Sequence, residues 1–148
     1  MNDASDGLER FIARWQAAGG SERANFQSFV ADLCALLGVS PSDPAREDTR
    51  DNAYVFERRI TFRHGDGSSS AGFIDCYRRA CFVMEGKKVR AGAPRPFDDA
   101  LQRARGQGEN YARSLPAEET RPPFVVVVDV GNVIELYAEF SRIGFRRP

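Results

Sequence analysis

Three ionisable residues in one short stretch carry the first chemical suggestion: Asp75, a gap of nine residues, then Glu85-Gly86-Lys87. Two carboxylates on neighbouring strands supply hard oxygen ligands of the kind Mg²⁺ takes, a cation that keeps several waters in its remaining positions. A lysine beside them could orient a water or offset negative charge growing on a reacting group. On its own, an acid followed at a distance by Glu-x-Lys is a loose pattern. Glu85 and Lys87 also read as a surface ion pair on a strand, which is worth little to stability. Placement has to separate the two readings.

The local sequence predicts that placement. Ala71 to Val89 reads as two short apolar strands, about 71–77 and 81–89, joined near Arg78-Arg79-Ala80. With the turn centred on Ala80, Asp75 and Glu85 stand opposite each other, and opposed residues of an antiparallel pair lie about 4.5–5.5 Å apart at Cβ. The two-residue period puts Lys87 on the face of Glu85, and Cys76 and Met84 on the other. A slip of one residue would send a whole strand's side chains to the opposite face.

The elements that must hold this hairpin follow from periodicity. After a start read as disordered over residues 1–7, Leu8, Phe11, Ile12 and Trp15 share one helical face, and Gly19-Gly20 ends that helix. Ser21 is the expected N-cap of a second helix with a stripe of Phe26, Phe29, Val30, Leu33, Cys34 and Leu37, stopped at Gly38. Such stripes are core packing first and ligand pockets only rarely. Residues 38–53 read as an irregular connection. Tyr54 to Arg63 is a strand with Phe56, Ile60 and Phe62 on one side and Glu57, Arg59 and Thr61 on the other, and His64 to Ser68 is a turn whose histidine reads as a solvated loop residue.

After the loop AGAPRP, a helix is predicted from about Phe97 to Leu115. Its buried stripe is Phe97, Ala100, Leu101, Ala104, Gly108, Tyr111, Ala112 and Leu115, and Gln107 lies on the flank, one turn before Tyr111. Phe124 to Val130 is an unbroken β-branched run that suits a strand buried on both faces. Asp129 reads as a cap of the Gly131-Asn132 turn. Val133 to Phe140 then alternates Ile134, Leu136, Ala138 and Phe140 against Glu135, Tyr137 and Glu139, as a half-exposed strand nearer the sheet edge would.

Composition sets bounds on all of this. With 148 residues, 42% hydrophobic and 28% charged, the chain suits a single domain with a real core. Twenty-one basic residues balance twenty-one acidic ones, so no global positive field is available and any nucleic-acid affinity must be local. Arg78, Arg79, Lys87, Lys88, Arg90 and Arg95 make such a local patch around Glu85. Three cysteines without a CxxC pair, and one histidine, do not make a zinc set, and they read as free thiols. The acidic, polar start MNDASDG is no signal peptide, and no apolar run nears the roughly 20 residues that span a bilayer. A cytoplasmic protein with no membrane partner is expected.

The order of elements is helix, helix, three meandering strands, helix, buried strand, strand. That predicts an α/β fold with a mixed β-sheet of about five strands flanked by helices. This order resembles the restriction-endonuclease-like core of the PD-(D/E)XK nucleases over roughly residues 21–140. The stretches ERANFQSFVADLCALLGV, YVFERRITFRHGDGSSSAGFIDCYRRACFVMEGKK and PPFVVVVDVGNVIELYAEFS resemble the N-terminal segment of bacterial class I S-adenosylmethionine-dependent DNA methyltransferases, including single-chain restriction-and-modification enzymes of the MmeI kind.

The resemblance implies a Mg²⁺-dependent endonuclease domain, with Mn²⁺ as a substitute. Asp75 and Glu85 would be the metal-binding acids, the Gly86 carbonyl a further ligand, and Lys87 the catalytic lysine. Gln107 with Tyr111 resembles the Gln-x-x-x-Tyr element of RecB-like nucleases, which would have Gln107 position a water or phosphate. Arg78, Lys88, Arg90 and Arg95 are candidates to grip the backbone of double-stranded DNA. Ile74 departs from the family's proline. Gly86 departs from the usual small apolar residue and is expected to loosen the strand. Methyltransferase and target-recognition parts are expected in the same longer chain or a separate subunit, with residues 141–148 the start of a linker. No S-adenosylmethionine site is expected in this segment. Cutting both strands would call for a dimer. The alternative is an inherited but catalytically idle module that grips DNA or docks a methyltransferase.

Overall fold

The computed structural model describes residues 3–18, 22–88 and 97–138. Three helices, α1 (Asp3–Ala17), α2 (Glu22–Leu37) and α3 (Phe97–Ser114), accompany five strands: β1 (Tyr54–Arg63), β2 (Ser69–Arg78), β3 (Phe82–Gly86), β4 (Phe124–Asp129) and β5 (Val133–Ala138). Among the described residues the strands form one sheet in the order β1-β2-β3-β4-β5. β3 and β4 are parallel and the other neighbours antiparallel. The expected mixed α/β architecture is therefore present, with α3 as the crossover that a parallel pair requires.

The sheet is buried on both faces. Trp15, Phe26, Phe29, Val30 and Cys34 from α1 and α2 pack on Cys76, Met84 and Val128. On the other face Leu101 and Ala104 of α3 cover Val125 and Val127, and Tyr111 and Ala112 cover Ile60, Ile74 and Val83. The valines of β4 thus divide between two cores, which is why that strand shows no alternation in sequence. Gly108 lets α3 come close: a Cβ there would sit 2.8 Å from Val125 Cγ1. At the end of α2, Gly38 takes the left-handed conformation (φ 69°) and Val39 N–H bonds to the Cys34 carbonyl.

Several boundaries differ from the sequence reading. α1 begins at Asp3, so it takes in residues expected to be disordered, and within its stripe Leu8 and Ile12 stay exposed while Trp15 is buried. β3 ends at Gly86, short of Lys87 and Lys88. In β5 the inward phase is the opposite of the expected one. Val133 and Tyr137 pack beneath α3, whereas Ile134 and Leu136 are exposed, because the sheet edge extends past the cover of α1 and α2. The N-cap expected at Ser21 lies outside the described residues.

Alternation breaks where β1 and β2 pass from one core to the other. Along the two strands the register runs from Phe56↔Cys76 to Arg58↔Ile74. Phe56 and Cys76 belong to the core under α1 and α2, yet Ile60 and Ile74 belong to the core under α3. Both strands therefore roll over between these pairs, at Glu57 and Asp75. Glu57 carries the cost, with a φ of 55° that a non-glycine residue rarely adopts.

Beyond the roll lies a buried ion cluster that the periodicity did not reveal. Arg58, 2% exposed, donates from Nη2 to Glu119 Oε2 at 2.6 Å. Tyr77 Oη and the Arg79 guanidinium donate to Glu119 Oε1 at 2.9 Å and 3.1 Å. Glu119 belongs to the loop after α3, so this cluster fixes the return of the chain from helix to β4.

Candidate active site

The β2–β3 turn is built as the spacing predicts. Ala80 adopts a left-handed conformation (φ 58°), Cys81 N–H bonds to the Arg78 carbonyl, and the register runs Arg78↔Phe82, Tyr77↔Val83, Cys76↔Met84. Continued by one residue, that register sets Asp75 opposite Glu85. The roll at Asp75 then changes what the pair can do. Asp75 N–H donates to Glu85 Oε2 at 2.8 Å, and Gly86 N–H donates to Asp75 Oδ2 at 2.9 Å. Each carboxylate is thus held by the backbone of the other's strand, and neither can drift without losing a hydrogen bond, worth about 1.5–3 kcal/mol at the charged Asp75 and about 0.5–1.5 kcal/mol at Glu85.

Lys88 supplies the neighbouring positive charge, with Nζ 3.1 Å from Asp75 Oδ1. Lys87 takes a different course. Its N–H continues the parallel ladder to the Val128 carbonyl at 2.7 Å, and its Nζ lies 3.4 Å from Asp129 Oδ2 on β4. Asp129 also receives Asn132 Nδ2 at 3.2 Å, and its carbonyl accepts Asn132 N–H, which closes the β4–β5 turn as expected. Gly131 (φ 85°) belongs to that turn, and any Cβ there would lie 2.4 Å from the Trp15 carbonyl oxygen.

Gly86 does not loosen the strand. It pairs with Val128, and its missing side chain is required by packing, since a Cβ would lie 2.9 Å from the ring of Phe26. A second glycine admits the helix on the opposite face. A Cβ on Gly72 would lie 2.7 Å from the Tyr111 ring, which stacks on Phe62 at a centroid distance of 5.7 Å. Gln107 is exposed on α3, one turn before Tyr111.

The electrostatics are unbalanced. Burial, and then the charge of Asp75, push Glu85 up to about 9 against an ordinary value of 4.5, even though Asp75 N–H and Lys88 pull the other way. For Lys88 burial opposes the charge, but Asp75 and Glu85 together outweigh it and raise its pKa. Tyr111 is raised by burial and by Glu85. Glu85 is accordingly biased toward its protonated form at neutral pH, and a further cation at the pair would favour ionisation of both acids.

Of the residues predicted from sequence, Asp75, Glu85, Gly86 and Lys88 come together, and Tyr111 lies within electrostatic reach of Glu85 while Gln107 stays exposed on α3. Lys87 sits one strand over. Arg78 lies with its guanidinium 5.0 Å above the Tyr54 ring, at the turn end of β2. Arg90 and Arg95 lie outside the described residues. The chain's cysteines are free, with Cys34 and Cys76 buried.

Residues 5–147 match the family model described as MmeI, N-terminal domain. The chain belongs to that family. Neither the curated proteins nor the solved structures gave a match to it. For this MmeI-type N-terminal domain, the donor set at the carboxylates is small. Among the described residues no group of three or more His, Cys, Asp or Glu side chains gathers to hold a metal. Two carboxylates suit a cation that retains most of its waters, as Mg²⁺ does, and not one that demands a protein cage. The imbalance at Glu85 is the feature such a cation would relieve. No helix among the described residues is long and apolar enough to cross a membrane.

Proposed function

We propose that this chain is the Mg²⁺-dependent endonuclease segment of a restriction-modification enzyme, hydrolysing phosphodiester bonds of double-stranded DNA. Membership of the MmeI N-terminal domain family supports the context. The observation that carries the chemistry is the crossed pair of buried carboxylates, one of them raised well above the carboxylate range by burial and by the charge of the other. Asp75 and Glu85 would hold the metal, with the Gly86 carbonyl beside them, and Mn²⁺ would substitute. Bound there, Mg²⁺ supplies positive charge to the phosphate and makes water a better nucleophile at neutral pH.

The chain's own residues do the rest. The backbone hydrogen bonds fix both carboxylates, a lysine following Glu85 offsets charge on the phosphate, and Gln107, exposed on α3 one turn before Tyr111, would meet a water or phosphate oxygen. Arg78, with Arg90 and Arg95, would grip the DNA backbone, so binding should weaken as salt rises. Methyltransferase and target-recognition parts, where S-adenosylmethionine would bind, complete the enzyme in the same longer chain or as a partner.

A second reading has its own support. Both Asp75 oxygens are already engaged within the chain, and Glu85 is only 1% exposed, as an idle module that grips DNA or docks a methyltransferase would allow. Calorimetry with Mn²⁺ and cleavage of duplex DNA, with the chain alone and with its methyltransferase, separate the two. The nuclease binds the metal and cuts, and Asp75→Asn loses both. Wild-type protein that binds DNA or the methyltransferase but no metal would establish the idle module.

A further inference from the structure

The hairpin of β1 and β2 is longer than the sheet it belongs to. Its register runs from Tyr54↔Arg78 to Arg63↔Ser69, whereas β2 pairs with β3 only from Arg78 to Cys76, and β3 ends at Gly86. Among the described residues, the first part of β2 therefore pairs with β1 alone. From Asp75 back to Ser69 this two-stranded ribbon reaches about 20 Å past the carboxylate pair, at about 3.3 Å per residue.

α3 braces one face of the ribbon. Phe62 stacks on Tyr111 at a centroid distance of 5.7 Å, and Gly72 leaves room for the same ring. The opposite face is open. There Arg59 pairs with Phe73, Thr61 with Ala71 and Arg63 with Ser69, and all six residues are exposed. Neither arginine has an ion-pair partner among the described residues. The acids nearest in sequence lie off this face: Asp66 accepts from Ser68 N–H and Oγ within the turn, and Glu57 sits at the roll.

This face is cationic and otherwise small, with one aromatic ring, Phe73, 48% exposed. Arg59 and Arg63 stand about 13 Å apart along β1. Guanidiniums stay charged and bind phosphate oxygens through a planar fork, and the short side chains of Thr61, Ala71 and Ser69 let a phosphate backbone come close. A run of about 20 Å matches about six base pairs of duplex.

Resting on the proposed action of this chain on DNA, we propose that the open face of the β1–β2 ribbon grips duplex DNA beside the bond presented to Asp75 and Glu85. Arg59 and Arg63 hold phosphates, and Phe73 packs on a deoxyribose between them. Such contacts position the duplex without reading its sequence.

The test is binding of a fluorescent duplex of mixed sequence to the full chain, by anisotropy in EDTA over a salt series, followed by plasmid cleavage with Mg²⁺. Arg59→Gln/Arg63→Gln should weaken binding about tenfold or more and flatten the slope of log K against log salt by about 1.8, the share of two phosphates. Phe73→Ala should weaken binding by about three- to tenfold without changing the slope. In cleavage both losses should fall on KM, because the ribbon holds ground state and transition state alike. Arg59→Lys/Arg63→Lys should keep the slope. Arg10→Gln/Arg113→Gln removes the same charge from exposed positions on α1 and α3 and should bind as wild type does.

An unchanged salt slope in Arg59→Gln/Arg63→Gln overturns the grip, and wild-type cleavage alongside it leaves the nuclease standing. An equal loss in Arg10→Gln/Arg113→Gln also overturns it, since net charge alone then explains the effect. So does a wild type that binds no duplex at low salt, or an arginine variant that loses its methyltransferase while holding DNA normally. Ribbon-dependent DNA binding in a protein that takes up no Mn²⁺ and cuts nothing sustains the grip and overturns the nuclease.

Discussion

Two buried acids, Glu119 and Glu85, sit near the same strand and are treated in opposite ways. Glu119 faces two guanidiniums and the hydroxyl of Tyr77, with Arg58 stacked over the Tyr77 ring at 5.4 Å. Glu85 faces another carboxylate, one backbone N–H and a single largely exposed ammonium, and burial pushes its pKa up. The first acid has more positive charge around it than it needs, and its cluster ties the loop after α3 to the first two strands. The second has too little. A buried acid whose neighbours already balance it is a fastening, while one left unbalanced beside another acid has room for a cation.

The same substitution should therefore give different results at the two places. Glu119→Gln leaves Arg58, 2% exposed, facing a neutral group, and should cost about 3–5 kcal/mol in urea unfolding. Equal stability in this variant would mean that the cluster is not a fastening. For the unbalanced pair, Asp75→Asn should lower metal-dependent cleavage by about 100-fold or more in a plasmid assay while leaving the fold intact by circular dichroism. Gly86→Ala drives a methyl group into Phe26 and should cost about 1–3 kcal/mol. Combining it with Phe26→Leu should recover part of that loss, and no recovery would mean the glycine serves something other than this packing. The smallest effect is expected for Glu85→Gln in metal-free protein at neutral pH. A neutral isostere replaces a side chain that is already protonated, so stability should change by only about 0.5 kcal/mol. A loss as large as that of Glu119→Gln would break the comparison.

Much of the fold was legible in the chain. The stripe on α2 as far as Cys34, the existence of the Tyr54–Arg63 strand and the valine run of β4 are imposed by burial against a neighbour of fixed period, so their types and approximate ends could be read directly. The expected common face of Phe56 with Ile60 and Phe62 is broken by the roll at Glu57, and Leu37 at the end of the α2 stripe stays exposed. β5 could not be read in the same way. Both of its phases are apolar enough to pack, and only the reach of α1 and α2 over the sheet decides which one does. Arg58 shares the phase of Ile60 and Phe62, and that was the signal for its burial. Its partner Glu119 lies sixty-one residues away in a loop without periodicity.

The carboxylate pair divides along the same line. By itself the sequence determined that Asp75 and Glu85 face each other, because a turn about Ala80 leaves one register, and it determined that a parallel pair comes next, because a helix intervenes. Only the tertiary structure decided that both strands roll at Glu57 and Asp75, that Gly86 makes way for Phe26, and that Lys88 rather than Lys87 reaches Asp75. Local spacing constrains side chains only while the strand lasts. Past Gly86 the positions of the charges are set by burial and by the partners waiting on β2 and β4.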